Sequence, residues 1–338
     1  MPGLLDPIEF AGLHLENRIV MPPMASGRAG PDGGATDDHV EYHRLRAAAG
    51  TALIIVEHSY VLPIGRFNEG QLGVHQDGMV PGLGKIAAAI RAEGSVACLQ
   101  LAHAGATGSP AIAGTRPVAP SAVAHPYGKG EVPDELSRDD IAETVRAFGD
   151  AAARAVAAGF QAVEVHAAHG FLLCQFLSPL TNRRGDRYGG SDENRSRLHC
   201  EVLAEVRRRV GPDVAIFLRL GADDETTGGL TIDVTCRTAP RLIEAGADLL
   251  DVSGALQGAR PAWHAGQGYF VKYAEALKKV VKVPVLVTGG ITEPAFADAV
   301  IREGRTDLVG IGRAMLRDPN WAAQAIRELE MRNPSKTQ

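Results

Sequence analysis

The sequence predicts an α/β fold: a closed (β/α)8 or TIM barrel, in a single domain spanning residues 1–338. Three observations carry that expectation. Eight short, almost continuously apolar segments alternate with amphipathic, alanine-rich ones, and parallel strands buried on both faces need that composition. The helical segments repeatedly stop on a glycine just before the next strand, at Gly50, Gly94, Gly159, Gly211, Gly246 and Gly304, where a helix end takes a left-handed residue. Finally, no change of composition separates the two halves, and the first strand runs into Met21-Pro-Pro-Met-Ala-Ser-Gly rather than a glycine-rich dinucleotide fingerprint. An open doubly wound sheet is therefore the weaker reading.

In chain order, Ile8 to Leu15 reads as a hairpin turning at Ala11-Gly12, placed to plug the bottom of the barrel. Barrel strands are expected at Arg18–Met21, Ala52–Val56, Val96–Leu99, Ala162–Val165, Val214–Leu218, Leu249–Val252, Val283–Val287 and Leu308–Ile311. Residues 104–133, rich in Gly, Pro, Ala and His, form an excursion after the third strand, read as a lid or subdomain over the catalytic face. The segment from Val163 to Arg195 leaves its strand for a long stretch of Asn, Arg, Gly and Tyr, and a loop of that length is usually functional. Residues 332–338 read as a disordered tail.

Charge and composition exclude several classes. A net charge of -5 without a basic cluster argues against nucleic acid and membrane-surface partners. No apolar run reaches the roughly 18 residues of a membrane span. The first residues lack the pattern of a secretory leader. Four scattered cysteines with no Cys-x-x-Cys pair suit a reducing cytoplasm and give no support for zinc or iron–sulfur sites. The expectation is a cytoplasmic enzyme of a small-molecule substrate, without metal.

In a barrel, chemistry gathers at the C-terminal ends of the strands. Those ends carry, in order, Met24 and Ala25, Glu57 and His58, Gln100 and His103, His166 and His169, Arg219, Ser253, Thr288-Gly289-Gly290, and Gly312-Arg313. The last two groups fall at strands seven and eight, where barrels commonly bind phosphate, and Arg313 adds a charged fork for its oxygens. Tight turns alone are the plainer explanation of those glycines. His166 and His169 admit three readings: metal ligands, two N–H donors to one substrate oxygen, or satisfied loop residues. Oxygen binding is preferred, because only Glu57 stands by as a further ligand. Arg219 follows four apolar residues, so its cation needs an anionic partner at the barrel mouth.

Further motifs are Asn17-Arg-Ile-Val-Met-Pro-Pro-Met, Gln100-Leu-Ala-His-Ala-Gly, and Ala158-Gly-Phe-Gln-Ala-Val-Glu-Val-His-Ala-Ala-His-Gly-Phe. Phe176-Leu-Ser-Pro-Leu-Thr-Asn, Arg187-Tyr-Gly-Gly-Ser, Glu193-Asn-Arg, Ile311-Gly-Arg and Leu316-Arg-Asp-Pro follow in order. Over nearly the whole chain these resemble the old yellow enzyme family of flavin-dependent oxidoreductases, particularly its shorter bacterial ene-reductase branch. The resemblance implies that the phosphate belongs to FMN. It implies flavin contacts from Pro22, Pro23, Met24, Ala25 and His58, from His166, Ser253 and Thr288, and from the phosphate-end residues Gly289, Gly290, Gly312 and Arg313. Gln100 and Arg219 are implied at the pyrimidine edge. The implied activity is ping-pong: hydride passes from NADH or NADPH, through flavin N5, to the β-carbon of an α,β-unsaturated carbonyl compound. His166 and His169 are the implied catalytic donors to its carbonyl oxygen.

Three positions depart from the family pattern. Phe171 stands where the family usually has a proton-donating tyrosine, Ala25 where the branch commonly has a cysteine, and the C-terminus lacks a Tyr-x-Arg-Gly-Trp-like tail. His58, Tyr60 and Tyr269 are the substitutes that position alone suggests for a proton source, and with His103 and Phe171 they are the expected substrate-side residues. The departures leave open a flavin dehydrogenase of cyclic ketones or amines. From other classes come a metal-dependent barrel hydrolase using His166 and His169, and a non-catalytic flavin-binding protein. Family members are often dimers or tetramers, so a homo-oligomer is expected.

Overall fold

The computed structural model describes residues 2–128, 130–260 and 263–332. Strands β1 (Ile8–Phe10) and β2 (Leu13–Leu15) pair antiparallel. The chain continues through β3 (Ile19–Met21), α1 (Asp37–Ala48), β4 (Leu53–Tyr60), α2 (Val80–Ala92) and β5 (Val96–Ala102). After these come α3 (Pro110–Ala113), β6 (Val118–Ala119), β7 (Asp134–Glu135), α4 (Arg138–Ala157) and β8 (Ala162–Ala167). Next are α5 (Leu172–Leu177), α6 (Asp192–Arg195), α7 (Arg197–Val210), β9 (Ala215–Gly221), α8 (Ile232–Glu244) and β10 (Leu249–Ser253). The chain closes with α9 (Val271–Lys278), β11 (Val285–Thr288), α10 (Pro294–Arg302), β12 (Leu308–Gly310), α11 (Arg313–Arg317) and α12 (Trp321–Arg332).

Eight of these strands, in the order β3-β4-β5-β8-β9-β10-β11-β12, pair in parallel and close on themselves. The expected barrel is thus the observed one. The helix-closing glycines carry positive φ, 93° at Gly159 and 70° at Gly304 for example. The α4 helix begins on a full capping box, Ser137 with Asp140, which satisfies two backbone donors at once. Below the barrel, Phe10, Leu13 and Leu15 of the hairpin pack on Val20, Leu53, Phe217, Leu249 and Leu286, with the rings of Phe10 and Phe217 5.9 Å apart. Each such side chain withdrawn from water contributes roughly 1.5–3 kcal/mol. The plug makes the bottom of the barrel apolar and dry and leaves the upper end for chemistry.

Two elements differ from expectation in a way that matters above. Strand β4 runs on to Tyr60, and its register against β5 slips between Val56 and Ser59. A bulge of this kind re-aims side chains. The excursion forms a small parallel pair, Val118 with Asp134, tied down by Arg184, whose Nη1 donates to Pro120 and Leu136 carbonyls. Of the expected tail, Arg332 ends α12 and residues 333–338 lie outside the described ones. No described helix is long and apolar enough to cross a membrane.

Candidate active site

A cavity of about 640 Å³ opens at the C-terminal ends of the strands. Its floor is Pro23, Met24 and Ala25 after β3; its polar side is His58 of β4, His166 of β8, Arg219 of β9 and Ser253 of β10. Thr288 and Gly290 after β11, with Gly312 and Arg313 after β12, close its far end. Seven different strands therefore supply the wall, as the barrel geometry dictates.

Strand alternation sends two neighbours of β4 to opposite faces. Glu57 turns outward, where His39 Nε2 lies 2.9 Å from its Oε1 and Ser26 Oγ donates to the same atom. His58 faces the cavity instead. Gln71 fixes its tautomer: Gln71 Oε1 accepts from Phe67 N–H and its Nε2 donates to the His58 carbonyl. That amide nitrogen is also 2.8 Å from His58 Nδ1, so Nδ1 accepts and Nε2 bears the hydrogen. Burial, with Arg219 close by, lowers the His58 pKa, and the ring is a neutral donor.

His166 and His169 stand with ring centroids 5.0 Å apart. His169 takes φ 58° and Gly170 φ 72°, a left-handed pair that turns the chain back over the strand end. Such a backbone costs a non-glycine residue on the order of 1–3 kcal/mol and clusters at functional sites. The His169 amide donates to Gly254 O, and its Nε2 lies 2.7 Å from Ser253 Oγ. Burial first, then Arg219 among neighbouring cations and imidazoles, pushes both histidines well below their ordinary pKa. Both are neutral at pH 7. Phe171 packs on His166 at 4.6 Å and, with His58 and Phe67, forms an aromatic wall.

The other end is cationic. Arg260, Arg313 and Arg317 all line it, and Arg313 Nη2 donates to the Tyr269 hydroxyl at 3.2 Å. Among protein atoms, His166 Nδ1 and Thr288 Oγ1 are buried without a hydrogen-bond partner. Buried polar atoms are ordinarily paired; two such atoms on residues lining one cavity mark the place of a polar ligand.

Several expected site residues stand elsewhere. Tyr60, beyond the bulge, stacks on His75 and donates its hydroxyl to Asp32 O. His103 is buried beneath Gly65 and accepts from Gly105 N–H. Neither lines the cavity. Gln100 lies one layer below, its Nε2 donating to Glu164. Pro22 and Gly289 pack behind the wall, Gly289 against Phe270. No described residue of the 104–133 excursion contributes to the wall. Conversely, Gln267, Ile291 and Thr292 line it without having been singled out. Arg317 had a signal, four residues along α11 from Arg313 and so on the same face; Arg260 sits in a loop without period. Among the described residues no three His, Cys, Asp or Glu side chains gather so as to hold a metal ion, and the hydrolase reading lacks its further ligands.

Residues 3–332 match the NADH:flavin oxidoreductase / NADH oxidase family. An NADPH dehydrogenase of Geobacillus thermodenitrificans (strain NG80-2) is 40% identical over 329 residues, covering 96% of this chain and 94% of that one. An NADH oxidase of Thermoanaerobacter brockii is 40% identical over 330 residues, covering 96% of this chain and 50% of the relative. The chain thus spans half the length of that oxidase. Among solved structures, morphinone reductase superposes with a TM-score of 0.86 at 30% identity, covering 97% of this chain and 90% of its own. A 2-naphthoyl-CoA reductase in complex with 2-naphthoyl-CoA gives a TM-score of 0.90 at 29% identity, covering 96% and 52%.

Proposed function

The chain belongs to the NADH:flavin oxidoreductase / NADH oxidase family, and from that premise we propose an FMN-dependent NAD(P)H oxidoreductase that reduces the C=C bond of α,β-unsaturated carbonyl compounds. The observation that carries this reading is the polarity of the cavity from end to end. Unpartnered His166 Nδ1 and the Arg219 guanidinium stand at one side, an apolar floor of Pro23 and Met24 runs below, and three arginines close the far end. That is the outline of a flat ring system with an anionic tail, and the residues present fit FMN.

When bound, FMN supplies two-electron chemistry between a nicotinamide and an organic acceptor. The chain's own groups do the rest. Arg313, with the backbone at Gly290 and Gly312, would hold the phosphate; Arg219, braced by the layer that contains Gln100, would hold the pyrimidine edge, and its cation favours negative charge there. His166 and His169, both neutral, donate N–H bonds to the substrate carbonyl oxygen and stabilise the charge that develops on it. One such donor is worth about 3 kcal/mol. The wall of His58, Phe67 and Phe171 keeps the substrate against the floor and excludes water. Phe171 has no proton to give, so the α-carbon proton comes from solvent or from a group other than residue 171.

That same absence favours a second reading, dehydrogenation of a saturated cyclic ketone or an amine, where no α-carbon protonation is required. Anaerobic titration separates the two. The purified protein is expected to be yellow, to bleach with NADH or NADPH, and to recover its colour rapidly with cyclohexenone. A colourless protein sinks the flavin assignment; a bleached protein that cyclohexenone fails to reoxidise, while a saturated ketone or amine bleaches the oxidised form, selects the second reading.

A further inference from the structure

Between the apolar plug and the cavity lies one polar layer. Gln100 of β5, Glu164 of β8, Arg219 of β9 and Asp251 of β10 meet there, none more than 3% exposed. The strand register sets Gln100 opposite Glu164 and Arg219 opposite Asp251. Gln100 Nε2 donates to Glu164 Oε1 at 2.8 Å, and Arg219 Nε stands 3.2 Å from Asp251 Oδ2. The two carboxyl groups are within hydrogen-bonding reach of each other. Yet Glu164 Oε2 and both Asp251 oxygens find no donor among protein atoms.

The layer holds two carboxyl groups and one cation; the titratable groups facing it are the buried Cys98 thiol of β5 and, on the cavity side of Arg219, the neutral imidazoles of His58, His166 and His169. With both carboxyls ionised, a net negative charge would sit in a sealed core with bare oxygens facing one another. Neither the charge nor the unpaired oxygens is tolerable there. One retained proton removes both problems. An O–H on Glu164 Oε2 donates to Asp251, and the Asp251 carboxylate answers the Arg219 guanidinium.

We propose that Glu164 is a carboxylic acid in the resting protein, sharing its proton with ionised Asp251, and that this pair positions Gln100 and Arg219 and fixes the net charge presented to the cavity. The proton belongs to Glu164 because Arg219 adjoins Asp251. Burial raises the pKa of both groups, and Arg219 draws Asp251 back down. A single relay then runs from Gln100 through Glu164 and Asp251 to Arg219. Glu164 and Asp251 are positioning residues: they act on a ligand through Arg219, the member of the layer that lines the cavity. The second half of the proposal, the charge presented to the cavity, rests on the flavin reading; the first half does not.

Infrared spectroscopy of FMN-free protein at pH 7 tests the first half. The difference between wild type and Glu164→Gln is expected to show the carbonyl stretch of a protonated carboxyl, moving down in D2O. A carboxylate pair of bands in its place overturns the proposal. The amide introduced by Glu164→Gln keeps a donor toward Asp251, so this variant retains the layer's hydrogen bonds. The midpoint potential of bound FMN tests the second half. Removing a group that is already neutral changes nothing, so Glu164→Gln is expected to match wild type. In the double variant Glu164→Gln/Asp251→Asn, the uncompensated Arg219 is expected to favour reduced flavin about tenfold, a rise of about 30 mV for a two-electron couple. A rise in Glu164→Gln alone, or none in the double variant, overturns the charge role. A protein that binds no FMN defeats the flavin reading and leaves the infrared result to stand by itself.

Discussion

Glu225 fastens the segment that covers the proposed phosphate end, and its removal makes a quantitative test of how that end is held. The residue sits after β9 at φ 48° and accepts from Trp263 Nε1 at 2.7 Å and the Tyr273 hydroxyl at 2.5 Å, with His264 Nε2 at 2.7 Å. His264 stacks on Tyr269 at 5.0 Å, and Tyr269 accepts from Arg313. One carboxylate thereby anchors the chain of side chains that reaches the proposed phosphate site. Hydrogen bonds to a charged group contribute about 1.5–3 kcal/mol each when enclosed. Trp263 is 55% exposed, so about 1 kcal/mol apiece is the better figure here. Glu225→Ala then loses about 3 kcal/mol, which opens the segment roughly 150-fold more often. Amide hydrogen exchange over residues 263–270 reads that opening directly, and FMN is expected to bind more weakly in step. Glu225→Gln, which keeps an acceptor but loses the charge, is expected to fall between. Exchange in Glu225→Ala equal to wild type would show that the segment is held by something else and refute the anchoring role.

Acid should loosen the same anchor. Burial raises the Glu225 pKa, but Tyr273, Trp263 and His264 together more than reverse this. A lowered folded pKa gives stability present above the ordinary carboxylate range and lost as pH falls through the folded value, so exchange at 263–270 should rise in that acidic window and not in Glu225→Gln. Glu164 has the opposite sign. Its folded pKa is raised, the native state binds the extra proton, and global stability by urea denaturation should fall as pH climbs from the ordinary carboxylate range; Glu164→Gln should flatten that slope, and an unchanged slope contradicts it. Phe171→Tyr places a phenol on the wall beside His166 and is expected to speed enone turnover at least tenfold, within the range of general acid catalysis; no gain in single-turnover reoxidation means that the proton is already well supplied. Gly290→Ala combines φ 69° with a Cβ 2.8 Å from Gly266 O, a cost of about 2–4 kcal/mol. Gly27→Ala, at φ 68° with open space around it, should lose only about 1–2 kcal/mol; equal losses by urea denaturation would remove the contact from the explanation.

The alternation of apolar strands with glycine-stopped helices was enough to give the barrel and the face that carries its site, because both follow from short-range periodicity and the rule that strand ends share one mouth. For the same reason His166, Arg219, Thr288 and Arg313 were legible as strand-end polar groups, and the order of the motifs was enough to place the family. What only the tertiary structure decided were matters of direction and partnership. The bulge in β4 leaves Tyr60 on Asp32 and off the cavity wall that His58 lines, although regular alternation along the strand would put the two on one face. The tautomer of His58 depends on Gln71, thirteen residues on and held by Phe67. Glu164 and Asp251 read locally as single acids within apolar strands; only closure of the barrel brings them together beside one arginine, and the charge on a buried group is set by neighbours that the chain order keeps far apart.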